Sequence, residues 1–456
     1  GWGMHTFMTY PGHVRAVLKM GLPLIGGHLA QVAIGVTDTV MLGWYGVDAL
    51  AAVTLASTYF FVFFIFGSGF AWAVMPMVAS FAAEEDEVAI RRATRMGLWL
   101  SLAFAILVLP AMVFSQPILR FLGQGEALAG DAERYLTVAG LGIVPALFVM
   151  VLKSYLAALE RTQVVLWITI IAAIVNALAN YAFIFGNWGA PELGVVGAAL
   201  ASVATQVVSL IGVVAYILVV VPQHQLFVRF WRPDLHMLRR VFALGWPISL
   251  TGLSEVGLFA ASAMMMGWLG NVPLAAHGIA VQLASLTFMV HLGLSNVATI
   301  RAGNAFGRNA RPHMARGAVV VILMSVIFAL ITTVFFVGWP EPLISAFMRE
   351  GEPARVEILL VGTGLLDMAA LVQLVVGAQA VALGLLRGVQ DTAIPMWMAA
   401  FSYWAVGIPA SYVLGFVLGF DGIGIWAGLV IGLGVASVLL NARFWMVVLP
   451  RVGQQA

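Results

Sequence analysis

The 456-residue sequence contains no cysteine, which excludes disulfides, thiolate metal sites and a cysteine nucleophile and leaves the compartment open. Charge is nearly as scarce. Asp, Glu, Lys and Arg together fill 9% of positions, against roughly 25% in an ordinary soluble domain. Also missing are HExxH, GxSxG and any clustered His and carboxylate set, so neither an enzyme nor a resident cofactor is expected. A net charge of +2 and a pI near 9.0 would fit nucleic acid only if the basic residues formed a stripe. The 22 Lys and Arg are instead scattered through short loops, which argues against such a partner. What fills the chain is apolar: 62% of residues are hydrophobic. No aqueous fold has the interior to hide that much apolar surface, whereas a bilayer asks for about 20 apolar residues per spanning helix.

Apolar runs bounded by charge, Pro or Gly fall near 17 to 43, 49 to 80, 96 to 116, 135 to 156, 163 to 186 and 194 to 221. Six more fall near 241 to 268, 274 to 300, 317 to 338, 358 to 386, 393 to 418 and 423 to 448. The spacing predicts twelve spanning helices. The opening Gly1-Trp2-Gly3 lacks an initiator methionine and reads as processed or vector-derived, and the apolar run from about Val17 is too long for the core of a cleavable signal peptide. Alternate loops divide the basic residues unevenly, with only Arg120, Arg134, Arg349 and Arg355 on one side. Positive charge favours the cytoplasmic side, so both termini are expected there.

The chain also matches itself at a shift of 224 residues. Gly21-Leu22-Pro23 meets Gly245-Trp246-Pro247, and Met41-Leu42-Gly43-Trp44 meets Met265-Met266-Gly267-Trp268. Six helices separate equivalent points, so both halves run the same way through the membrane, a parallel repeat of the kind that places substrate at the interface. The expected organisation is a six-helix lobe over 1–221, a cytoplasmic linker over 222–240 broken by Arg232-Pro233, and a second six-helix lobe over 241–456.

Of 20 acidic residues, only Asp38, Glu255 and Asp367 fall inside predicted spans. A charge at the bilayer centre costs about 2.5 to 3.5 kcal/mol or more, so the default reading is an ion, proton or substrate pathway. The alternative is a neutral acid bonded between helices. Asn176 and Asn180 share one face of the fifth span. With Asp38 they offer oxygens suited to a hard cation, although two Asn amides also serve as interhelical glue. Under the repeat Glu255 aligns with Gln31 and Asp38 with Ser262, so the two halves carry acids at different depths. That asymmetry argues for divided labour. Gln282 and His291 in the eighth span are candidates for cavity lining, against the commoner packing role. The aromatics of Tyr59 to Phe66 read as core or lipid-facing surface.

These residues resemble the multidrug and toxic compound extrusion family, most closely its NorM-type branch. The resemblance rests on Asp38-Thr39-Val40-Met41-Leu42-Gly43, on Asn180 to Gly186 followed by Gly197-Ala198-Ala199, on Pro247 with Glu255, and on Leu386-Arg387-Gly388-Val389-Gln390-Asp391-Thr392. It implies two lobes around a central cavity in a bacterial inner membrane, alternating access, and a monomer exporting small organic cations against sodium or proton flow. It assigns Asp38, Asn176, Asn180, Ala198 and Ser202 to a cation site of the first lobe, with sodium as the candidate ion, and Glu255 and Asp367 to the second. Asn180 stands where some members have a second Asp, and Thr363 where a Tyr can accompany the second acid. A lipid-linked oligosaccharide flippase of the same superfamily would instead need cavity Lys or Arg, for which only Lys153, Arg301 and Arg387 are candidates, all near cytoplasmic helix ends.

Overall fold

A computed structural model describes residues 8–454; the Gly1-Trp2-Gly3 start lies outside them. Among the described residues twelve helices are long and apolar enough to cross a membrane: α1 Tyr10–Tyr45, α2 Val47–Ala83, α3 Glu87–Val113, α4 Glu126–Ala158, α5 Thr162–Phe185 and α6 Val195–Val220. The second set is α7 Leu235–Leu269, α8 Asn271–Gly307, α9 Arg311–Gly338, α10 Arg355–Gly388, α11 Ala393–Val417 and α12 Asp421–Arg451. All twelve expected spans are present, and most run beyond the apolar stretch that signals them. A helix of 36 residues such as α1 is about 54 Å long, against a hydrocarbon core of roughly 30 Å, so its ends stand in polar surroundings. The chain is an all-α, multi-pass membrane protein.

The repeat is visible in the elements. Alpha-helices α1 and α7 have 36 and 35 residues, and each carries an internal proline, Pro23 or Pro247. Helices α2 and α8 have 37 residues each. One glycine joins each pair, Gly46 between α1 and α2 and Gly270 between α7 and α8. Gly270 has φ +128°, a conformation closed to side chains with a Cβ.

Packing divides the chain into two units, Gly26–Ser249 and Leu250 onward together with the start of α1 up to Ile25. The cuts lie inside α1 and α7 at positions related by the 224-residue repeat. The first unit centres on a cluster from α1, α2, α3, α4 and α6 that includes Leu42, Phe104, Met112, Leu136 and Leu147. At the end of α5, Gly186 takes a left-handed conformation at φ +76° and closes the helix. Gly197 then presses α6 against α5 so closely that a Cβ would overlap the Phe183 carbonyl. The segment after α6 is bound to the same unit. Arg92 pairs with Asp234 at 2.6 Å, Arg95 donates to the Leu226 carbonyl at 2.7 Å and Trp99 to the Phe230 carbonyl at 2.7 Å. In the second unit α8 packs most extensively on α10, and Trp426, Tyr403 and Phe444 are fully buried.

Candidate functional site

The first unit gathers its polar groups where α1, α5 and α6 meet. A spacing of four places Asn176 and Asn180 on one face of α5, and both are fully buried. Both amides donate to Asp38 Oδ1, from Asn176 Nδ2 at 2.9 Å and from Asn180 Nδ2 at 2.5 Å. The sequence-predicted trio is therefore one constellation. Thr205 of α6 donates to Asn176 Oδ1 at 3.4 Å and to the Ala201 carbonyl at 2.7 Å. Asn180 Oδ1 is buried without a hydrogen-bond partner. Tyr135 of α4 lies 3.4 Å from the Ser202 hydroxyl and close enough to Asp38 to feel its charge. Ala198, on the same helix as Ser202, is buried.

This donor set fits a hard cation. One carboxylate supplies the charge, and amide and hydroxyl oxygens supply neutral ligands. As arranged, the two amide N–H groups neutralise Asp38 directly. Turning each amide about its last torsion presents oxygen in place of nitrogen, so the same side chains can serve either an anion-neutralising or a cation-binding arrangement. Among the described residues no group of three or more His, Asp or Glu is placed to hold a metal ion, so any such site draws on neutral oxygens.

In the second unit Glu255 of α7 is half-buried and receives Gln379 Nε2 of α10 at 3.5 Å. Tyr403 of α11 donates to Gln379 Oε1 at 2.5 Å. Gln379 and Tyr403 are both buried, so the carboxylate ends a relay that starts in the protein core. Tyr403 lies in a π-helical stretch, Phe401–Gly407, whose wider turn directs side chains off the regular helical faces. The Arg387 guanidinium is near enough to act electrostatically on Glu255 and Tyr403 without a direct ion pair. Gln379 and Tyr403 escape a sequence reading because neither carries a charge. The only available signal is a Gln inside an apolar span.

Asp367 is not part of that relay. It is exposed, and it precedes Gln379 by about 18 Å along α10. Thr363, one turn before it, bonds the Leu359 carbonyl at 2.7 Å within its own helix. Gln282 is exposed. His291 is fully buried, with Nδ1 2.8 Å from Ser325 and Nε2 3.2 Å from Gln373 Oε1. Gln373 donates in turn to the Ala329 carbonyl at 2.7 Å, which closes a satisfied network binding α8, α9 and α10.

The MatE family model matches residues 23–182 and 247–413, one segment in each repeat. The chain is 43% identical over 439 residues to a probable multidrug resistance protein NorM of Rhizobium meliloti, covering 96% of this chain and 94% of the relative. A probable multidrug resistance protein NorM of Agrobacterium fabrum is 44% identical over 438 residues, with the same shares covered. A crystal structure of MATE in the bent conformation superposes with a TM-score of 0.86 at 19% identity, over 97% of this chain and 98% of that one. That match fixes the fold, and the identities fix the family. With twelve spans, a duplicated architecture and acids set inside its helices, the chain belongs to the MatE family of multidrug transporters and is not an enzyme.

Proposed function

We propose that the chain exports organic cations by alternating access, in antiport with inward sodium or proton flow across a bacterial inner membrane. It acts as a monomer, with two lobes over 1–221 and 241–456 joined by a cytoplasmic linker over 222–240, and with both termini cytoplasmic. The observation that carries this reading is the Asp38, Asn176 and Asn180 constellation, a single carboxylate with amide oxygens inside an apolar bundle. Ala198 and Ser202 complete the wall of that site, and sodium suits its oxygens. Glu255 serves as the acid of the second lobe, where coupling ion and cationic substrate compete. Asp367 attracts cations at a separate level of α10.

The physical cycle needs only differential binding. If the coupling ion favours one orientation and the drug cation the other, each shifts the population by its difference in affinity. Export is tested by counterflow in liposomes of the purified chain, with sodium and pH gradients varied separately. Uptake of a cationic dye driven by one gradient and not by the other identifies the ion. Equal rates with neither gradient would refute antiport.

A further inference from the structure

Basic groups gather in the second unit where the start of α1 meets the end of α8 and the start of α9. Arg301 Nη2 of α8 lies 2.9 Å from His13 Nδ1 of α1, and the His13 and His313 ring centroids are 4.8 Å apart. A guanidinium can only donate, so His13 Nδ1 accepts and the neutral ring carries its proton on Nε2. His13 is fully buried, and its Nε2 has no hydrogen-bond partner among the described residues. Arg316 of α9 acts electrostatically on His13 and extends over the Tyr10 ring, 5.9 Å from its centroid. Gly317 leaves the room for this approach: a Cβ there would lie 3.0 Å from Arg301 Nη1 and 3.5 Å from His13 Nδ1. Arg301, His313 and Gly317 line a small cavity together with Val17, Val297 and Leu385.

Basic residues at helix ends serve topology, and the exposed Arg15 and Lys19 suit that role. His13 and His313 are instead buried, and Arg301 and Arg316 half-buried. The three helix ends bring no acid with them, because Asp and Glu are absent before Asp38 and between Glu255 and Glu341. Leu385 brings α10 to the cavity, and Asp391, beyond the end of that helix, pairs with Arg443 at 2.6 Å. Two guanidiniums and two imidazoles held together in this way suit an anion, which accepts from them in charge-assisted bonds. All four side chains start within about 9 Å of rise from a helix end, the level of lipid headgroups. Beside them Tyr10, Val14 and Leu18 of α1 are exposed, an apolar flank of the kind that faces lipid.

We propose that His13, Arg301, His313 and Arg316 bind the phosphate of an anionic phospholipid, which ties the start of α1 to α8 and α9. Basic pockets between helices at the membrane interface recognise lipid headgroups by this chemistry. The phosphate gives the buried His13 Nε2–H an acceptor, and the guanidiniums supply the charge. Free phosphate carries the same charge, but the exposed apolar flank of α1 offers a lipid the acyl contact that an inorganic ion cannot use. The site stands apart from Asp38 and Glu255 and is independent of which ion drives export.

The test is native mass spectrometry of the purified full chain in neutral detergent, titrated with dioleoyl phosphatidylglycerol, dioleoyl phosphatidylcholine or inorganic phosphate. We expect wild type to bind the anionic lipid about tenfold more tightly than the zwitterionic one, the size of one charge-assisted interaction. Arg316→Gln and His13→Gln should each lose most of that preference. Arg15→Gln, which removes an exposed charge from the same stretch of α1, should keep it. Thermal unfolding without lipid checks that each variant is folded, and the wild-type comparison of the two lipids needs no variant at all. Equal binding of both lipids by wild type would overturn the site. So would a preference that survives in both Arg316→Gln and His13→Gln, or that falls as far in Arg15→Gln. Displacement of phosphatidylglycerol by an equal concentration of inorganic phosphate would overturn the lipid in favour of a free anion.

Discussion

Replacing Asp38 by Asn separates the ionic role of the first site from its structural one. In the wild type Asp38 Oδ1 accepts from Asn176 at 2.9 Å and from Asn180 at 2.5 Å. Hydrogen bonds to a charged acceptor are worth about 1.5 to 3 kcal/mol and neutral ones about 0.5 to 1.5. An amide oxygen keeps the geometry but weakens the two bonds by about 2 to 3 kcal/mol together. Against this, removing a carboxylate from the bundle relieves a desolvation cost of several kcal/mol. The two effects have opposite signs and similar size, so the folded state should not be strongly destabilised. Cation binding has no such compensation. A unit charge at 4 Å is worth about 4 kcal/mol at an effective dielectric of about 20, roughly three orders of magnitude in affinity. Coupled export in proteoliposomes should vanish in Asp38→Asn, while thermal unfolding stays close to wild type. Asn176→Ala and Asn180→Ala keep the charge and should weaken export less. Wild-type coupled rates in Asp38→Asn would refute the ion-site argument.

Glu255→Gln should lose cation-coupled export, and Tyr403→Phe or Gln379→Leu should shift the pH profile of transport while leaving the protein folded; an unchanged profile in both would remove the relay from the mechanism. Asp367→Asn should raise the KM for a cationic dye and leave the ion-to-dye ratio unaltered, because it stands apart from Glu255; a changed ratio measured by paired flux would place it in the coupling step. A thiol reagent confined to the outside should fail to label Gln225→Cys in intact cells, and labelling would reverse the topology. Burial holds the His224 pKa below its usual 6.5, and in its neutral form the ring bonds the Tyr155 hydroxyl. Below about pH 6.5 the undocked segment takes a proton that the docked one resists, so docking weakens as pH falls. Hydrogen exchange over residues 222–234 should quicken in acid beyond the intrinsic rate, and His224→Gln should remove the difference.

The class of the protein is written in composition, since scarce charge and twelve long apolar runs leave no aqueous fold. The repeat is equally local, because identical residues at a fixed shift mark equivalent turns such as Gly46 and Gly270. The Asp38 constellation was half legible. Helical spacing puts Asn176 and Asn180 on one face, but that this face meets Asp38 follows only from how α1 and α5 pack. Sequence places Glu255 and Asp367 in spans without their separation, and a straight helix puts Asp367 about 18 Å from the Gln379 that bonds Glu255. His291 shows another case: in sequence a polar residue in a span can be packing or cavity lining, and only the fold shows that Ser325 and Gln373, distant in the chain, bond both its nitrogens. Tyr403 meets Gln379 from within a π-helical turn that the sequence does not announce. Even the packing units change neighbours inside continuous helices, between Ile25 and Gly26 and between Ser249 and Leu250. Periodicity fixes which side of a helix a residue occupies. Only the close approach of two helices, with their side chains interlocked, decides what that side faces.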